Sequence, residues 1–174
     1  MPDDRRFYLD ANFFIEAVEG EGTASENCWR LMSEGEKRPG LLVTSLLTLS
    51  EVLVLPLRLQ DALPSFNPMA DEPLTSMSGA WLGNGTLASE YAALITETPR
   101  LSVTEIDRDV LIGAASIRSR WHAGKLPDAI HLAAALTSRC THFISADKKL
   151  EAAASERFGM IPVAPSDLQS FLID

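Results

Sequence analysis

Short apolar runs alternate along this chain with stretches whose apolar residues recur at helical spacing. Phe7–Leu9, Leu41–Val43, Leu101–Val103, His142–Ile144 and Ile161–Val163 each read as a short strand, the last at a sheet edge because it holds Pro162. Phe13, Phe14 and Val18 share one helical face before Gly20. Thr23 and Glu26 have the spacing of a capping box ahead of Cys28, Trp29, Leu31 and Met32. Ser45 to about Leu55 predicts one apolar helix. Asp107 precedes a helix with Val110, Leu111, Ala114, Ile117 and Trp121 on one face, and Pro127 opens another from Asp128 to Leu136. Asp147 begins a further helix, and Ser166 caps a terminal one carrying Leu168, Phe171 and Leu172. This alternation predicts an α/β fold whose central parallel sheet, of four to five strands, is covered on both faces. In such sheets the site lies outside the carboxyl ends of the strands, so residues that follow strands are the candidates for chemistry.

One stretch breaks the rhythm. Between about 56 and 89 stand Pro56, Pro64, Pro68, Pro73, Gly79, Gly83 and Gly85, with Met77 and Trp81 able to pack it down. It reads as a loop-rich excursion of a single domain spanning 1–174; loops of this length are usually lids, partner surfaces or disordered segments. Gly83-Asn84-Gly85 is a turn signal, not a phosphate loop.

The chain's 174 residues, 46% hydrophobic with 22% charged, suit one domain with a sizeable core. Residues 41–59 form the longest apolar stretch but include Glu51 and Arg58, which argues against a membrane span. Arg5 and Arg6 are followed by only a few apolar residues before Asp10, so no secretory signal is expected. Two cysteines, Cys28 and Cys140, make neither a disulfide framework nor a zinc site, and read as reduced thiols of a cytoplasmic protein. A net charge of −9 argues against nucleic-acid binding by the whole surface. Within 110–149, however, Arg118, Arg120, Lys125, Arg139, Lys148 and Lys149 outnumber Asp128 and Asp147, a basic rim able to surround an acidic pocket.

Four carboxylates stand at informative places. Asp10 follows the first strand, Asp128 opens a helix, and Asp147 follows the fourth strand; taken singly, each reads as a helix cap. Glu51 does not, because it lies amid Leu46, Leu47, Leu49, Val52, Leu53 and Leu55, where a bare buried carboxylate costs several kcal/mol. Thr44, Thr48 and Glu51 share a face by spacing, which gives either a narrow solvated edge or one wall of a cleft. If all four carboxylates line that cleft, a cation must offset their repulsion, and hard oxygen ligands suit Mg²⁺ or Mn²⁺. Paired ions about 3.5–4 Å apart can activate water against a phosphodiester.

The residues Tyr8-Leu9-Asp10-Ala11-Asn12, the set Thr44, Ser45, Thr48 and Glu51, the run Leu126-Pro127-Asp128 through Ala135, and Phe143 through Leu150 together resemble the PIN-domain family. The likeness is greatest to the VapC-type toxins of bacterial toxin–antitoxin pairs, with the motifs in the family's order. The resemblance implies a three-layer α/β/α sandwich and a Mg²⁺- or Mn²⁺-dependent endoribonuclease whose metal-activated water hydrolyses RNA. It assigns Asp10, Glu51, Asp128 and Asp147 to the catalytic metal site, with Asn12, Thr48 and Ser145 supporting it. It also implies a small antitoxin partner, one of whose arginines would mimic the metal, and a homodimer. The chain exceeds compact relatives mainly in 56–89, to which nothing carries over.

Other candidates stay open. Arg118, Arg120, Lys125, Lys148 and Lys149 either contact RNA phosphates or simply face water, Lys148 and Lys149 being favoured by their place beside Asp147. Trp81 and Trp121 either stack bases or pack. His131, one turn after Asp128, reads as a packed and hydrogen-bonded residue. His122 and His142 have no Cys or His at a metal-ligand spacing in the sequence, which argues against a zinc site. Two further functions compete with the toxin: a catalytically inactive PIN-like binding module, and a stand-alone nuclease for another nucleic acid, since no reader of the 2′-hydroxyl is identifiable.

Overall fold

The computed structural model of the protein describes residues 4–59, 85–121 and 124–172. Five parallel strands form one sheet in the order β3-β2-β1-β4-β5, with β1 Phe7–Leu9, β2 Leu42–Ser45, β3 Ser102–Thr104, β4 His142–Ile144 and β5 Ile161–Val163. Central β1 pairs Tyr8 with Val43 on one side and with Phe143 on the other. Pro162 lies on edge strand β5, where a missing N–H costs no ladder bond on the open side.

The pleat divides the core. Tyr8, Val43 and Phe143 point to one face, beneath α6 (Arg108–Arg120), α7 (Leu126–Thr137) and α8 (Lys148–Phe158). Phe7, Leu9, Leu42 and Ile144 point to the other, beneath α1 (Ala11–Glu19), α2 (Thr23–Lys37) and α5 (Leu87–Thr96). Successive residues of a strand serve opposite faces, so a three-residue β1 anchors both helical layers. The result is a three-layer α/β/α sandwich.

Several local expectations change. The apolar helix after β2 is broken at Leu53 into α3 (Leu46–Val52) and α4 (Val54–Leu59), and Thr44 belongs to β2 instead of the helix. The excursion's two ends are helical, in α4 and at the start of α5, while 60–84, including Met77, Trp81 and Gly83, lie outside the described residues, as does His122. No Thr23–Glu26 capping box forms: Gly22 at φ +75° is the N-cap of α2 and makes no side-chain cap bond. Leu111, expected on the buried face of α6, is 47% exposed. Ser166 lies inside a 3-10 turn, Pro165–Asp167, ahead of α9 (Gln169–Leu172), and bonds Asp167 instead of capping. Caps that form as expected include Asp10 on α1, Asp107 on α6 and Asp147 on α8.

Gly35 marks a close approach of α2 to the sheet: a Cβ there would lie 2.2 Å from Leu42 Cδ1 and 2.6 Å from its Cγ. Helix propensity favours Gly35→Ala by about 1 kcal/mol, but overpacking against a fully buried strand leucine costs about 1–3 kcal/mol. Gly35→Ala is therefore expected to lower stability by up to about 2 kcal/mol in urea unfolding; an unchanged or raised midpoint would refute this packing.

Candidate active site

The chain leaves β1 for β2 and β3 on one side and returns to β4 and β5 on the other, so the carboxyl ends of β1 and β4 flank the switch point of the sheet. Asp10 follows β1 there, and its N–H donates to the Ile144 carbonyl at 3.2 Å. Its extended backbone makes it the N-cap of α1: Oδ1 accepts from the Asn12 N–H at 2.8 Å and Oδ2 from Asn12 Nδ2 at 3.3 Å. The residue is only 2% exposed. Burial raises its pKa above the usual carboxylate range, and the Ser145 hydroxyl, the nearby His131 imidazole and Asn12 offset that only in part.

Beside it runs a chain of side-chain hydrogen bonds. The Tyr8 hydroxyl donates to Ser45 Oγ at 2.8 Å and lies 2.8 Å from His131 Nδ1, while His131 Nε2 pairs with Glu51 Oε2 at 2.7 Å. His131 is buried, whereas the Glu51 side chain is 32% exposed. Glu51 thus escapes the cost of bare burial by one hydrogen bond and an open side toward water. Burial pushes the Tyr8 phenol far above its ordinary range, with the Asp10 charge adding to the effect, so the hydroxyl keeps its proton. Thr44 Oγ1 donates to the Leu9 carbonyl at 2.8 Å and pairs with the Thr48 hydroxyl at 2.9 Å, tying the ends of β1 and β2 to α3.

Asp147 is exposed and accepts from the N–H groups of Lys149 and Leu150; its own N–H donates to Ser145 Oγ at 3.0 Å. Asp128, half-buried at the third residue of α7, accepts from the Lys125 N–H at 3.1 Å and lies one turn before His131. Lys148 is held by Glu151 at 2.9 Å, which raises its pKa, while Arg118, Arg120 and Lys149 face solvent. Both cysteines are buried, which pushes their thiols up to about 12 and leaves neither as a nucleophile.

The structure thus joins Asp10 to Asn12 and Ser145, and Glu51 to His131, at one edge of the sheet. It does not gather the carboxylates into a cage: among the described residues, no three His, Cys, Asp or Glu side chains come together to hold a metal ion. The donor chemistry nevertheless fits a hard divalent cation. Asp10 is a buried carboxylate whose charge is incompletely offset, flanked by a hydroxyl and a carboxamide, and Mg²⁺ keeps several waters while taking only one or two carboxylates. A cavity of about 410 Å³ lies elsewhere, between α6, α7 and α8; Trp121, Leu136, Phe158, Arg120 and Arg157 line it, and none of the four carboxylates does. Trp121 packs there instead of standing free.

The raised pKa of Asp10 carries a stability consequence. The folded carboxyl keeps its proton to higher pH than the unfolded one, whose value is about 3.9. Its favourable contribution is complete below the unfolded value and is lost as pH climbs through the folded one. Asp10→Asn is expected to melt higher than wild type at neutral pH without divalent metal, with the gain shrinking toward pH ~4. Equal melting curves across that range would contradict the electrostatics described.

Among curated proteins, none matches the chain. It is similar in structure to a toxin–antitoxin complex from Klebsiella pneumoniae, with 19% identity over 92% of this chain and 97% of that one and a TM-score of 0.53. It is similar also to DNA-bound VapBC from Salmonella typhimurium, with 16% identity over 92% of this chain and 98% of that one and a TM-score of 0.52. The family model of the PIN domain matches residues 7–156, which takes in β1 through most of α8 and the four candidate carboxylates Asp10, Glu51, Asp128 and Asp147. The chain belongs to the PIN-domain family.

Proposed function

We propose that this protein is a metal-dependent endoribonuclease and the toxin of a toxin–antitoxin pair. The observation that carries the reading is Asp10: a carboxylate buried at the switch point of the sheet, with its pKa raised and polar donors already turned toward it. Such a group is costly in an apo fold and gains most from a cation. Likeness of fold to two toxin–antitoxin proteins supports the biological setting.

Asp10, Glu51, Asp128 and Asp147 are the residues that would hold Mg²⁺ or Mn²⁺, with Asn12, Thr48 and Ser145 supporting them. A bound divalent ion supplies a lowered pKa for water and stabilisation of charge developing on the phosphodiester. Glu51, open to solvent on one side, accepts the proton of the attacking water. Asn12 and Ser145 hold the Asp10 oxygens in place, and Lys149, Arg118 and Arg120 meet the phosphates of the RNA. No side chain becomes covalently attached to substrate. A small antitoxin would cover the carboxylate end of the sheet and insert an arginine in place of the cation.

The lack of a preformed carboxylate cage favours a second reading, a PIN-like binding module without turnover. Mn²⁺ titration by calorimetry separates the two: the nuclease binds Mn²⁺ and Asp10→Asn does not. Asp10→Asn and Asp147→Asn are each expected to lose RNA cleavage while keeping the fold by circular dichroism. A fully active Asp10→Asn/Asp147→Asn double variant would end the nuclease reading. As a homodimer, the protein should show twice its chain mass in light scattering across a dilution series; a constant monomer mass would remove the dimer.

A further inference from the structure

We propose that His131 is the positioning residue for Glu51, steering that carboxylate through an anchor built on the central strand. The inference rests on the reading that Glu51 belongs to a metal site, and it adds a role for three residues outside the acidic set.

The geometry is a single line of contacts, Ser45–Tyr8–His131–Glu51, with spacings of 2.8, 2.8 and 2.7 Å. Its inner members are rigid. Tyr8 is fully buried and stacks on Phe143 with ring centroids 5.2 Å apart, and His131 meets the Tyr8 ring edge-on at 5.8 Å. Its outer member is not rigid by itself, since a glutamate has three side-chain torsions and loses up to about 2 kcal/mol of rotamer entropy when fixed. A histidine that merely needed partners in a core would be satisfied by buried groups. Here one nitrogen is satisfied by a buried phenol and the other is spent on an acid 32% exposed, which water could have solvated. The line therefore does for Glu51 what Glu51 cannot do for itself: it fixes where a flexible carboxylate points.

The same strand serves both parts of the site. Tyr8 stands two residues before Asp10, so its side chain enters the layer beneath α7 while Asp10 leaves the strand end. Glu51 shifts relative to Asp10 only by giving up its bond to His131, or together with His131 against Tyr8 or with β1 itself. Residues that orient a metal's ligands in this way typically change metal affinity about 10–100-fold when removed.

The test is calorimetric Mn²⁺ binding to the whole chain, with thermal melts as the folding control. His131→Phe keeps a packed ring and removes both nitrogens; it should weaken Mn²⁺ binding at least about tenfold. His131→Gln, whose amide nitrogen reaches the place of Nε2, should recover most of that loss. Tyr8→Phe, nearly isosteric, should lose a smaller factor. In a Glu51→Gln background His131→Phe should cause no further loss, because the effect travels only through Glu51. Wild-type affinity in His131→Phe, or an equal loss with and without Glu51, would overturn the proposal while leaving the metal site standing. Failure of wild type itself to bind Mn²⁺ would overturn both.

Discussion

A carboxylate buried at the end of the central strand is the constraint on which the rest of this structure depends. Asp10 cannot be moved toward water, because β1 lies between β2 and β4 and its backbone is bonded on both sides. Its neighbours are therefore chosen to tolerate a negative charge: an N-capped helix start, a carboxamide, a serine hydroxyl and an imidazole. These offset the desolvation incompletely, which leaves the strand end electrostatically unfinished. In a protein this is a standing cost to stability, and it is retained where a ligand or reaction uses it.

The fold concentrates such groups at one edge for a simple topological reason. All five strands run the same way, so every strand delivers its following residue to the same side of the sheet. Reversal of the winding direction between β1 and β4 parts the covering helices there. Asp10, Ser145 and Asp147 reach that edge from beyond strand ends and Ser45 from the end of β2, while His131 reaches it from α7 on the face that Tyr8 enters and Glu51 from α3, whose Val52 joins the opposite layer. Tyr8 links the two supplies, because its ring belongs to the core and its hydroxyl to the polar line.

Most of the fold was legible in the pattern of the chain. Four of the five strands appear within one residue of their predicted places, β2 runs two residues past its expected end, and three aspartates stand at helix starts as their spacing required. What misled the pattern was local. The apolar run after β2 gave no sign of a break at Leu53, because leucines on both sides satisfy either a straight or a bent helix. Thr23 and Glu26 have capping-box spacing, yet Gly22 in a left-handed conformation starts the helix instead, a backbone choice that composition does not reveal.

At the site the division is sharper. The sequence by itself determined which residues carry charge, which of them follow strands, and that Glu51 had to find a partner or water, since each of these depends only on identity and short-range spacing. Only the tertiary structure decided who that partner is. His131 lies 80 residues from Glu51 and 123 from Tyr8, and no periodicity connects them. Tertiary packing also decided that, among the described residues, the carboxylates do not close into a cage of three, because the reach of each side chain depends on how helices α3 and α7 seat on the sheet. Spacing along a chain fixes faces; distances between faces come from packing.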